Sequence, residues 1–144
     1  MHVGLYSELA RRDVVAARTF IAERGYRSNL HDIKRCREDI IAAPDGSPLK
    51  NLTKISDFFS ASECRDLLFH VQEHRMSLPQ INAFLQEHSL QFLGFDIDRS
   101  VINKYRARFP DADVLDLDRW HIFETENPDT FSSMYQFLIQ KPKQ

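Results

Sequence analysis

Apolar positions along this chain recur in two rhythms, and where one gives way to the other marks the elements. Met1 to Ser7 reads as a short strand with no preceding turn, helix or polar tail, so the chain is expected to begin in the middle of a fold. From Leu9 the spacing becomes helical: Ala10, Val14, Ala17 and Ile21 fall on one face, and Gly25 stands where a left-handed residue would close the helix. A second helix is predicted from Asp32 to Ala42 with Ile33, Cys36 and Ile40 inward, ended by Pro44-Asp45-Gly46-Ser47-Pro48. Leu49, Leu52, Ile55 and Phe59 predict a third. Ser60 with Glu63 and Ser77 with Gln80 have the spacing of capping boxes, and so open two more helices. Their stripes are Cys64, Leu67, Leu68 and Val71, then Ile81, Phe84 and Leu85.

Leu90 to Ile97 is apolar on both alternating faces, the pattern of a central strand covered on both sides. Val101, Ile102, Tyr105 and Phe109 predict a helix ending at Pro110, and Leu117, Trp120 and Phe123 a shorter one before Asn127-Pro128. Ser133 to Gln140 is again strand-like. The expected fold class is α/β. Three strands make an incomplete sheet, since sheets commonly hold about five or six. Either partner chains complete it, including self-association through an exposed strand edge, or the chain is the C-terminal part of something larger.

Composition narrows the functions. At 144 residues, 42% hydrophobic and 11% aromatic, the chain suffices for one domain, residues 1–144. Nineteen Lys and Arg against 21 Asp and Glu leave a net charge of −2, which provides no field for nucleic acid or anionic lipid. No apolar run reaches the ~20 residues of a membrane span. Cys36 and Cys64 fall on apolar helical positions, as buried thiols would, so a cytoplasmic setting is expected.

His70-Val71-Gln72-Glu73-His74 is the one spacing with explicit chemistry: two imidazoles four residues apart on a helix reach one zinc ion, and Glu73 could serve as base. A third ligand would have to come from His121, Glu124 or Glu126. Such a metal site, a half-buried packing role and a place in a substrate pocket all remain open for His70 and His74. Tyr6, Ser7 and Glu8 form a second candidate, because ligands of open α/β sheets lie beyond the carboxyl ends of parallel strands. Arg11 and Arg12 could meet an anionic substrate group. Asp98 suits a helix cap, and Asp111, Asp113, Asp116 and Asp118 lack the glycine and glutamate of a calcium loop.

Longer strings carry a resemblance: Gly4 to Arg12, Phe20 to Tyr26, Asp66 to Arg75, Phe92 to Phe95, Tyr105 to Pro110, Glu126 to Phe131 and Met134 to Phe137. Together they resemble the C-terminal portion of bacterial class I S-adenosylmethionine-dependent methyltransferases of the tetratricopeptide-repeat-linked type. The resemblance implies that Val3–Ser7 is the fifth strand of a Rossmann-like sheet, Leu90–Ile97 the sixth, and Met134–Gln140 an antiparallel seventh inserted between them. Helices over residues 30–89 would be an insertion capping the substrate side, with Tyr6, Ser7, Glu8, Arg11, His70, Glu73 and His74 toward the pocket. The family's glycine-rich cofactor turn has no counterpart here, since Gly4, Gly25, Gly46 and Gly94 stand apart. S-adenosylmethionine is thus implied for a complete enzyme, with no cofactor held by this chain alone and the other methyltransferase half as its partner.

Overall fold

The computed structural model describes residues 1–69, 73–132 and 134–143. They divide into two compact units: Met1–Arg11 with His74–Gln144, and Arg12–Glu73.

The first unit is a mixed α/β layer. Its strands are β1 (His2–Ser7), β2 (Arg75–Met76), β3 (Gln91–Phe95) and β4 (Met134–Gln140), in the order β2-β1-β4-β3. β2 runs parallel to β1, while β4 is antiparallel to both β1 and β3. The three expected strands therefore form, and the last runs backwards between two that share a direction. β2 is an addition: two residues give no periodic signal.

One face of this sheet is covered. Tyr135, Phe137 and Ile139 alternate inward along β4 and pack, with Val3 and Leu5, against Leu78, Ile81, Leu85, Tyr105, Leu117, Trp120 and Phe123. Those side chains come from α5 (Leu78–Glu87), α6 (Arg99–Arg108) and α7 (Leu117–Glu126). Tyr105 and Trp120 stack with ring centroids 4.0 Å apart. Each helix begins on a side-chain cap. Ser77 and Gln80 exchange both bonds of a capping box, Asp98 accepts from the Ser100 amide, and Asp116 accepts from the amides of Asp118 and Arg119. The acidic run is thus partly spent on local backbone amides.

Two expectations are corrected here. Among the described residues β3 pairs with β4 alone and is an edge strand, with Leu93 turned outward at 41% exposure. Its run of apolar residues reflects the bulge between Phe92 and Gly94, which breaks strict alternation, rather than cover on both faces. Phe84 also points outward, lying on His88 one turn later, because Ile81 and Leu85 already fill the inward positions of α5.

The second unit is helical: α1 (Arg12–Arg24), α2 (Leu30–Ile41), α3 (Pro48–Asn51), α4 (Ala61–Cys64) and intervening 3₁₀ turns. α1 ends at Gly25, whose φ of 71° suits a residue without a Cβ. The amides of Gly25 and Tyr26 return to the carbonyls of Ala22 and Ile21, completing a Schellman closure. Ile33, Cys36 and Ile40 of α2 are fully buried beside Val14, Ala17 and Ile21.

The third helix expected over Leu49–Phe59 is broken into pieces. Ile55 is extended at φ −94° and ψ 123°, which shifts the register, so that Phe58 enters the core and Phe59 stays 54% exposed. Ser60 caps α4 by accepting from the Glu63 amide. The chain then widens into a π-helical stretch, Arg65–Phe69, that buries Leu67 and Leu68. Of the segment 30–89, α2 through this stretch belongs to the helical unit and α5 to the sheet unit.

Candidate functional site

The carboxyl end of β1 and the turn after it carry Tyr6, Ser7, Glu8 and Arg11. Strand alternation sends Ser7 to the same face as Val3 and Leu5, under α7, and sends Tyr6 to the other face. Ser7 is completely buried. Its side chain hydrogen-bonds Glu124 Oε1, and its Oγ accepts from the Ala10 amide at 3.1 Å. The Ser7 carbonyl accepts from the Arg11 amide at 3.0 Å. One serine thus ties down the whole turn from Glu8 to Arg11.

On the opposite face the Arg11 guanidinium lies 4.7 Å from the centre of the Tyr6 ring, and Arg11 is only 7% exposed. Glu8 is exposed and donates its amide to the Met76 carbonyl, extending the β1–β2 pairing by one bond. Of the four sequence candidates at this end of β1, Tyr6 and Arg11 stack on one face, Ser7 is buried on the other, and Glu8 is exposed.

Glu124, on α7, is the centre of the buried side of this cluster. It is 1% exposed, and its second oxygen, Oε2, accepts from the Tyr135 hydroxyl at 2.7 Å. Burial holds the carboxyl above the usual glutamate range, opposed by the hydrogen bonds from Ser7 and Tyr135 and by His121 one turn away. Burial also raises the Tyr135 phenol. Among the described residues, the buried His121 Nδ1 has no hydrogen-bond partner. Chemically, this is a set of exchangeable protons with both carboxylate oxygens in use, suited to holding or relaying a proton rather than to binding a cation.

From the sequence, Glu124 is legible only as a possible metal ligand and Tyr135 only as part of a strand. The available signal was position: Glu124 falls on the buried face with Leu117 and Trp120, and Tyr135 on the inward alternation of β4.

The residues of the histidine segment fall in different parts of the structure. His70 lies outside the described residues. Glu73 belongs to the helical unit, where its Oε1 is 2.6 Å from Arg18 Nη1. His74 is exposed and belongs to the sheet unit. Glu126 pairs with Arg108 at 2.9 Å. Among the described residues, no group of three His, Cys, Asp or Glu side chains is placed to hold a metal ion. His2 and Asp96 make a surface pair at 3.3 Å. No described helix is long and apolar enough to cross a membrane.

No protein-family model matches the chain, and no curated protein matches it.

Proposed function

We propose that the chain is the C-terminal, substrate-side segment of an S-adenosylmethionine-dependent methyltransferase. The observation that carries this reading is the strand arrangement: β4 runs antiparallel between β1 and β3, which share a direction, with the Tyr6–Arg11 cluster at the carboxyl end of β1. This is the order that the resemblance implies for the last three strands, and the cluster sits where open α/β sheets place their ligands. Without a glycine-rich turn among its four separated glycines, the chain leaves the cofactor to another segment. Its own part would be to orient the methyl acceptor and exclude water, which lowers the barrier by positioning.

Calorimetry with S-adenosylmethionine should show no heat of binding for this chain alone, and clear micromolar binding would overturn the assignment of the cofactor to another segment. The coding sequence upstream of Met1 should continue in frame through a glycine-rich strand-turn-helix, whereas a stop codon immediately upstream would overturn the methyltransferase reading.

A second reading, a module that binds other chains by strand addition, is favoured by the edge of β1. Met1 and Ile139 exchange backbone bonds at 2.7 and 3.0 Å, so by alternation the backbone groups of His2 and Gly4 point away from β4. Among the described residues, β2 covers that edge at Tyr6 and Ser7, and the Glu8 amide adds one bond to the Met76 carbonyl. An open edge is a template for another strand. Sedimentation at high concentration should then detect association, and a strictly monomeric species would count against it.

A further inference from the structure

The helical unit buries one stripe of α2 and leaves a neighbouring one in the open. Ile33, Cys36 and Ile40 face its core. Leu30, Lys34, Arg37 and Ile41, spaced four, three and four, run along the second stripe at helical period. With Glu38 and the small Ala61 of α4 they line a shallow groove. Its two ends are apolar and face water, Leu30 at 64% and Ile41 at 46% exposure.

The charges of the groove lie between those ends. Arg37 is turned back on its own chain, donating from Nη2 to the Phe59 carbonyl at 2.7 Å, with its guanidinium 5.8 Å from the centre of the Phe58 ring. Lys34 and Glu38 are exposed, and among the described residues neither is ion-paired. Lys ahead of Glu is the less favourable order for a pair four residues apart within one helix. The two lie on one flank of the stripe, roughly 40° apart around the helix axis. One cation and one anion therefore stand available on the same side of an apolar-ended groove.

We propose that this groove takes a second copy of the chain, the two α2 helices packing antiparallel about a two-fold axis at the middle of the stripe. Reversing α2 about the midpoint of Leu30 and Ile41 carries each onto the level of the other. Leu30 then meets Ile41 of the second copy at both ends, and their apolar surface leaves water. The same rotation keeps each flank on its own side, so Lys34 comes level with Glu38 of the second copy, and Glu38 with its Lys34. The pattern is thus its own complement, apolar to apolar and cation to anion, as a two-fold contact requires. This inference rests neither on the methyltransferase reading nor on strand addition at β1.

The test is sedimentation equilibrium of the whole chain over a concentration series. The wild type is expected to form a dimer. Lys34→Glu and Glu38→Lys each turn both cross-copy ion pairs into repulsions, so each should weaken the dimer about tenfold. The variant carrying both exchanges keeps the wild-type net charge and should return to within about threefold of its affinity. Leu30→Ala with Ile41→Ala should weaken the dimer as well. All four positions are exposed, so the variants should keep the wild-type circular dichroism spectrum. A wild type that stays monomeric overturns the proposal. A dimer indifferent to the charge reversals overturns it too, and assigns association to another surface such as the open edge of β1. A double exchange as weak as the single ones would show that Lys34 and Glu38 do not face each other, and overturns the antiparallel pairing.

Discussion

Arg18 Nη1 lies 2.6 Å from Glu73 Oε1, with 10% and 6% of their side-chain surfaces exposed. Arg18 Nη2 donates to the Leu67 carbonyl at 2.8 Å. Arg18 thus joins α1 to the π-helical stretch and to Glu73 in one contact set. Removing one partner of a nearly buried pair takes from the other its charge-assisted hydrogen bond, at a cost of about 3 kcal/mol. Glu73→Ala and Arg18→Ala should each lower stability in urea by roughly that amount, and the double variant should lose less than their sum. Additive losses in circular dichroism melts would show that the two do not act together.

Stability should depend on the Glu124 proton. Its folded pKa is raised, chiefly by burial, so above the ordinary glutamate range the folded chain retains a proton that the unfolded chain has released. Its contribution is fully present below the unfolded pKa and is lost as pH rises through the folded one. The Tm of the wild type, measured against Glu124→Gln at each pH, should fall across that window. A constant difference between the two proteins would contradict it.

Tyr135→Phe removes the donor to Glu124 Oε2 without changing the ring. A buried oxygen left without its partner costs about 1–3 kcal/mol, so unfolding in urea should shift by that much. Ser7→Ala should cost at least as much, because the Ala10 amide also loses its acceptor. An effect of Tyr135→Phe within experimental error would mean that the hydroxyl is dispensable.

Cys36 and Cys64 should be inert in the folded protein. Both are fully buried, and burial pushes the Cys36 thiol up to about 12 and raises that of Cys64. Since the thiolate is the nucleophile, an aromatic disulfide reagent should label both only as fast as the chain unfolds. Rapid labelling under native conditions would refute this.

Local signals predicted local structure well. Gly25, Ser77 with Gln80, and Asp98 close or open helices where their chemistry requires. These depend on residues within one turn of each other. Phe59 and Phe84 went the other way because inward space is a property of neighbours far along the chain. A bend at Ile55 in one case and a filled core at Ile81 and Leu85 in the other left no room for them.

The sequence by itself determined the alternation of strands and helices and the inward faces of α1, α2 and β4, since each follows from periodicity or from short-range hydrogen bonding. Only the tertiary structure decided that β3 lies at an edge, that Glu73 is held by Arg18 from 55 residues away, and that Ser7 meets Glu124 across 117 residues. Such pairings depend on which surfaces the folded chain brings together, and no spacing along the sequence encodes that distance.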